Sequence, residues 1–213
     1  MNRILLLGLL IIGISASCGQ QEPQSVTTTE GAAPLRPWKL ICLGGSSTIG
    51  ENISPTQAYP AQLAGALQNT IEQPVKVVNA GILGETIEGA GLRLSWILQQ
   101  RLDAFLLALG EEEVDQALSQ EEARQMWESI FQTLRGAYPQ IPVFVLHLQS
   151  ADQLPAWWSA LQASYEVTIL QPDWRTIIGN RQPTTEPWTE EQQATVAEWL
   201  AEQLEEWPVQ YYQ

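Results

Sequence analysis

The sequence is poor in positive charge, cysteine and histidine. Ten lysines and arginines stand against 24 aspartates and glutamates, which gives a formal net charge of −14. A surface of this sign repels phosphate backbones and anionic lipid headgroups, so the composition argues against nucleic acid as a partner. Two cysteines do not make a disulfide framework, and no metal-ligand spacing, phosphate loop or cofactor fingerprint is present. The sequence therefore predicts neither a metal nor a cofactor.

Apolar runs long enough to span a bilayer are also missing. A short basic head, Met1-Asn2-Arg3, precedes an apolar stretch at 4–14, which is typical of a secretory signal. The following Ser15-Ala16-Ser17-Cys18 resembles the lipobox of bacterial lipoproteins, although Ser15 stands where that pattern usually has leucine. Residues 1–17 are therefore predicted to be a lipoprotein signal peptide, with Cys18 lipidated and the protein exported and membrane-anchored in the periplasm or at the cell surface. Plain secretion is the alternative.

One domain is predicted behind a tether. Residues 18–37 are rich in Gln, Thr, Pro, Ala and Gly without periodicity, which is typical of a flexible segment. Residues 38–208 are enough for one domain with a sizeable core, and 209–213 form a C-terminal tail.

Strand and helix patterns alternate along this domain. Apolar or β-branched runs predict strands at 39–43, 75–78, 104–109, 142–148 and 167–170. Apolar spacing and capping residues predict helices at 57–67, 86–98, 119–136 and 157–165, and a last helix that Thr189 caps. The stretch 171–188 is predicted to be irregular. Such alternation favours a parallel sheet with helices on both faces.

The first strand ends in a glycine turn that leads to serine. Cys42 lies within the apolar strand as a small core residue, and Gly44-Gly45-Ser46-Ser47 follows. In a parallel α/β sheet such a turn lifts the hydroxyl to the edge where ligands bind, which makes Ser46 the candidate nucleophile. The alternative is an ordinary loop in which serine caps the next helix.

Four segments together resemble the SGNH (GDSL-type) hydrolases, in particular their small bacterial arylesterase and lysophospholipase branch. Residues 43–50 resemble the Gly-Asp-Ser-Leu block, and 78–86 resemble the second block. The Leu109-Gly110 turn falls where the third block begins, and 189–200 resemble the helix after the catalytic Asp-x-x-His-Pro motif. The resemblance implies a flavodoxin-like three-layer α/β/α sandwich with a parallel five-stranded sheet in the order 2-1-3-4-5.

The resemblance assigns some of the catalytic groups and finds others replaced. Ser46 matches the nucleophile, and Gly84 matches the glycine whose backbone N–H helps to form the oxyanion hole. The aspartate before the nucleophile is Gly45 here, and the oxyanion asparagine is Glu112. An ionised carboxylate has no proton to donate and repels a developing oxyanion.

The catalytic Asp and His of the family are expected at 184–188, where the chain has neither. The single histidine, His147, is the candidate substitute base, because it lies near the C-terminal end of the fourth strand. In the order that the family implies, one strand separates the first from the fourth, which puts their axes roughly 10 Å apart. The alternative is a histidine packed at the end of its strand.

These residues predict a lipid-anchored pseudoenzyme that binds a ligand or partner at its vestigial site, with a weak carboxylic-ester hydrolase using Ser46 as the alternative. The expected ligand is a small ester, a glycan or a lipid, and contact with the membrane is expected through the N-terminal lipid only. Four tryptophans fall near the predicted site edge, where they would stack on a sugar or hold an apolar ligand, or else pack in the core. They are Trp157, Trp158, Trp174 and Trp188. No oligomeric state is predicted.

Overall fold

The computed structural model describes residues 35–111, 118–149, 154–179, 186–205 and 207. The five strands are β1 (Trp38–Gly44), β2 (Val75–Gly81), β3 (Ala104–Ala108), β4 (Val143–Leu146) and β5 (Val167–Leu170). The seven described helices are α1 (Ser46–Ile49), α2 (Tyr59–Thr70), α3 (Ile87–Ile97), α4 (Gln120–Ala137), α5 (Trp157–Tyr165), α6 (Trp174–Ile178) and α7 (Glu190–Leu204). The predicted signal peptide, Cys18 and the C-terminal tail lie outside the described residues.

All five strands are parallel and follow the order β2-β1-β3-β4-β5. The predicted fold class and strand order are thereby confirmed. In the register of the sheet, Gly44 lies between Gly81 of β2 and Ala108 of β3. The carboxyl ends of these three strands therefore meet at one edge, and small residues occupy it.

Helices cover both faces of the sheet. Successive side chains of β1 point to opposite faces and are apolar on both, so each face must be covered. Leu40 and Cys42 belong to one core cluster, which α2 and α7 help to form, whereas Ile41 and Leu43 belong to a second cluster with α3, α4 and α5. All four side chains are fully buried. Within the described part of the chain, no helix combines the length and the apolar character needed to cross a membrane.

Two sequence predictions of local structure are wrong. The stretch 171–188 is not irregular throughout, because α6 lies within it and begins after Asp173. The Asp173 carboxylate accepts the Arg175 backbone N–H at 3.1 Å and the Thr176 hydroxyl at 2.9 Å, which fixes the first turn. The fourth strand also ends at Leu146, so His147 lies just beyond it.

Candidate functional site

The candidate site is built on the turn between β1 and α1. Gly45 is the N-terminal cap of α1, and Ser46 begins the helix with its side chain half-buried. A Cβ on Gly44 would lie 2.9 Å from Thr48 Cβ and closer still to Thr48 Oγ1 and the Ala108 carbonyl oxygen. The first glycine is needed because α1 packs directly on the strand ends.

Gly84 places a backbone donor beside the candidate nucleophile. Its N–H donates to Ser46 Oγ at 3.5 Å, and its φ of +71° lies in the left-handed region that favours glycine. The loop that carries Gly84 is tied to the β1 end, because the Ile82 N–H donates to the Gly44 carbonyl oxygen at 3.0 Å. A bound carbonyl oxygen next to Ser46 would therefore find the Gly84 N–H within reach.

An ion pair with a buried glutamate anchors the same loop. The Arg93 guanidinium of α3 binds the buried carboxylate of Glu85 and donates to the Ala80 carbonyl oxygen at 2.7 Å. Arg93 thus joins the end of β2 to the residue that follows Gly84, which restrains the Gly84 N–H from two sides.

A carboxylate that the sequence reasoning missed contacts the nucleophile turn. Glu111 is buried, and its two oxygens accept the Ser47 backbone N–H at 3.2 and 3.1 Å as well as the Ser47 hydroxyl. Glu112, which the family resemblance placed at the oxyanion asparagine, lies outside the described residues. The sequence did contain a signal for such a contact. The family has aspartate at position 45 and leucine at position 47, whereas this chain has a glycine without a side chain and a serine with a hydroxyl.

The C-terminal helix reaches the turn from the opposite direction. The fully buried Gln193 of α7 donates through Nε2 to the Ser47 carbonyl oxygen at 2.9 Å. Its Oε1 accepts the Tyr59 backbone N–H at 2.7 Å, so one amide side chain joins α7 to the turn and to the start of α2. The sequence predicts the helix but indicates no role for Gln193.

His147 lies at the same edge of the sheet, but β3 separates its strand from β1. Two strand spacings put the β1 and β4 axes roughly 10 Å apart. His147 is 7% exposed, and its Nδ1 lies 3.0 Å from the Gln149 carbonyl oxygen. A carbonyl oxygen only accepts, so we assign the proton of the neutral ring to Nδ1 and leave Nε2 basic. Burial lowers the pKa of His147 below its usual value. The structure thus places this histidine in a form suited to a base, but not beside Ser46.

The tryptophans divide unequally between core and surface. Trp158, Trp174 and Trp188 are 3–4% exposed, with Trp158 against Trp127 at 4.8 Å and Trp174 against Trp188 at 5.3 Å between ring centroids. These three favour the packing interpretation. Trp157 is half-buried and, together with Trp158 and His147, lines a cavity of about 150 Å³.

Among the described residues, no group of three or more His, Cys, Asp or Glu side chains is placed so that it could hold a metal ion. Glu186, from the stretch where the family has its catalytic pair, is exposed. The nearby Thr189 begins α7 through a capping box with Gln192, as expected for the last helix.

Comparison with known proteins identifies the same fold. The sequence model of the GDSL-like Lipase/Acylhydrolase family matches residues 42–212. The solved structure of AlinE4, an SGNH-hydrolase family esterase, is 20% identical, with a TM-score of 0.60 over 81% of this chain and 99% of that one. The psychrotrophic esterase EstA from Pseudoalteromonas sp. is 13% identical, with a TM-score of 0.66 over 80% and 98%. TesA is 20% identical, with a TM-score of 0.62 over 81% and 98%. No curated protein sequence matches significantly.

Proposed function

Because the chain belongs to the GDSL-like lipase/acylhydrolase family, we propose that it binds carboxylic esters at the Ser46 edge and hydrolyses them slowly. One observation carries the proposal: the Gly84 N–H lies 3.5 Å from Ser46 Oγ, so a nucleophile and an oxyanion donor are adjacent. The two groups come from the ends of neighbouring parallel strands, where the fold binds ligands.

The chemistry follows from these two groups. Ser46 Oγ attacks the ester carbonyl carbon while the Gly84 N–H stabilises the oxyanion. The tetrahedral intermediate collapses with loss of the alkoxide or phenolate, and water then hydrolyses the acyl-serine. The serine proton passes to solvent hydroxide. Since the leaving group also departs without a proton from the protein, esters of acidic alcohols such as phenols are favoured over alkyl esters.

The rate is expected to be low. In the subtilisin example, loss of the catalytic base costs on the order of 10⁶ in rate and leaves about 10³–10⁴ over water from the oxyanion hole and binding. Loss of one oxyanion donor costs on the order of a further 10²–10³ when the rest of the machinery is intact. Without the family's Asp-His pair at 184–188, Ser46 is therefore expected to retain a small, measurable advantage over water rather than the turnover of a full triad.

A second candidate function is ligand binding without turnover. It is favoured by the position of the only histidine in the chain, which is buried beyond β3 and bonded through Nδ1 to the Gln149 carbonyl oxygen. On this hypothesis Ser46 is an inactive remnant, and the edge of the sheet holds an ester, glycan or lipid.

The pH dependence of nitrophenyl acetate hydrolysis by the full-length protein separates the candidates. If hydroxide removes the serine proton, the logarithm of the Ser46-dependent rate rises with a slope of about one from pH 6 to 9, without a plateau. His147→Gln leaves that profile unchanged, and Ser46→Ala removes it. A plateau near neutral pH that His147→Gln abolishes would instead establish a Ser46–His147 pair. A rate that is equal in wild type and Ser46→Ala would exclude the hydrolase and favour ligand binding.

We also propose that Cys18 carries a lipid and that the protein is an exported bacterial lipoprotein. The support is the sequence pattern at 1–18 alone, in which a basic head, a short apolar stretch and small residues precede the cysteine. The tether at 18–37 would then hold the domain away from the membrane.

A further inference from the structure

Two departures from the family pattern in the nucleophile block meet at one side chain. The block has glycine at position 45 in place of aspartate and serine at position 47 in place of leucine. A Cβ on Gly45 would lie 2.8 Å from Glu111 Oε2, so the Glu111 carboxylate occupies the space beside residue 45. The same carboxylate accepts both the backbone N–H and the hydroxyl of Ser47.

We infer that Glu111 is the positioning residue of the nucleophile: it supplies from the end of β3 the carboxylate that residue 45 lacks. It holds Gly45, Ser46 and Ser47 in place so that Ser46 Oγ stays beside the Gly84 N–H. The inference rests on the proposed role of Ser46 and adds a residue to that site.

The sheet register explains how Glu111 reaches the turn. Gly44 and Ala108 are partners in the β1–β3 ladder, and Ser47 and Glu111 each lie three residues beyond them. The chain passes through Gly110, whose φ of +103° favours glycine, before the carboxylate turns toward α1. The segments that follow β1 and β3 thus stay in register beyond the strand ends, where the Glu111 carboxylate contacts Ser47.

The hydrogen bonds of the first backbone N–H groups of α1 show why the helix needs this carboxylate. The Thr48 and Ile49 N–H groups donate to the Gly45 carbonyl oxygen at 3.1 and 3.0 Å, so the helix satisfies them itself. The Ser47 N–H is one of the first in the helix and lacks an intrahelical acceptor. Gly45 has no side chain to cap it. Glu111 accepts this N–H in a buried place, where an unsatisfied donor is costly.

If Glu111 has this role, an aspartate at position 45 should be able to replace its carboxylate. Gly45→Asp alone forces two buried carboxylates together, and Glu111→Ala alone leaves the Ser47 N–H without its acceptor. The double variant Gly45→Asp/Glu111→Ala removes the crowding and returns an acceptor to the turn. Glu88→Ala is the control, because it removes a glutamate from an exposed position.

Two measurements on the full-length protein test this prediction. Fluorophosphonate labelling of Ser46 should slow by about tenfold or more in each single variant, because small displacements of a nucleophile are costly. It should recover in the double variant and stay unchanged in Glu88→Ala. The amide proton shift of Ser47, followed by NMR, should move upfield in Glu111→Ala and return downfield in the double variant.

The NMR measurement does not require activity, so it separates this inference from the proposed function. If the wild type is not labelled but the Ser47 amide responds as expected, the hydrolase proposal fails and Glu111 still positions the turn. Should Glu111→Ala not fold, Glu111→Gln tests the same contact with the side-chain length preserved. If Glu111→Gln has the labelling rate and the Ser47 amide shift of the wild type, the charge of Glu111 has no role in positioning the turn. A double variant no better than either single variant would overturn the inference.

Discussion

Gly44→Ala tests whether α1 is packed directly on the ends of the strands. A methyl group at this position would lie within 3.0 Å of Thr48 Oγ1, Thr48 Cβ and the Ala108 carbonyl oxygen. Thr48 is fully buried, and its hydroxyl is hydrogen-bonded at 3.1 Å to that of Tyr59, which is also buried. Ala108 belongs to the adjacent strand of the sheet, so its carbonyl oxygen cannot withdraw without disturbing the ladder.

The expected cost follows from these contacts. Overpacking a dense core costs about 1–3 kcal/mol, and loss of the hydrogen bond between the Thr48 and Tyr59 hydroxyls adds about 1 kcal/mol. The free energy of unfolding should therefore fall by about 2–4 kcal/mol. At a urea dependence of about 2 kcal/mol per molar, the midpoint of unfolding falls by roughly 1–2 M.

Tryptophan fluorescence during urea unfolding measures this change, since the chain has nine tryptophans. The matched control is Gly65→Ala in α2, where an added Cβ would have no neighbour within 4 Å. That substitution should raise the free energy of unfolding by about 0.5–1 kcal/mol, because alanine is the better helix former. A Gly44→Ala protein within about 0.5 kcal/mol of wild type would refute the close packing of α1.

Three further predictions concern single residues. Burial lowers the pKa of His147 in the folded state, so below about pH 6.5 the unfolded chain binds more protons than the folded one, and the free energy of unfolding decreases as the pH falls. His147→Gln should therefore narrow the difference between the urea midpoints at pH 5.5 and 7.5, and an unchanged difference would contradict this pKa shift. Burial raises the pKa of the Cys42 thiol, so a bulky thiol reagent should modify the native protein far more slowly than the urea-unfolded one, and equal rates would be inconsistent with its place in β1. Cys18→Ser should abolish incorporation of labelled fatty acid during expression in bacteria, whereas equal labelling of both proteins would exclude lipidation at this residue.

Local sequence patterns predicted the strands and most of the helices, and the resemblance to the SGNH hydrolases supplied the strand order. The apolar run of β1 and the capping boxes at Ser119 and Thr189 each depend on neighbours a few residues away, and the structure has all of them. The glycines that close β1 and β2, Gly44 and Gly81, likewise indicated where the chain turns at the sheet edge. Such signals are readable because hydrogen bonding and side-chain periodicity within one element are short-range.

The supports of the nucleophile turn could not be read in the same way. Ser47 is held by Glu111, 64 residues away, and by Gln193, 146 residues away. Three consecutive glutamates at 111–113 differ in no local property, so only the register between β1 and β3 selects Glu111. The short helix α6 was missed for the opposite reason, because the prolines and glycine at 172–187 outweighed the single capping residue Asp173.

The contacts of Gln193 make the nucleophile turn depend on the C-terminal helix α7. Translation delivers Ser47 and Tyr59 more than 130 residues before the amide that joins them. Until α7 has emerged and docked, the Ser47 carbonyl oxygen and the Tyr59 N–H lack this partner, and each costs about 1–3 kcal/mol if it is buried without a replacement. We therefore expect the turn that carries Ser46 to be less stable in a nascent chain, or in one cut before α7, than in the complete domain.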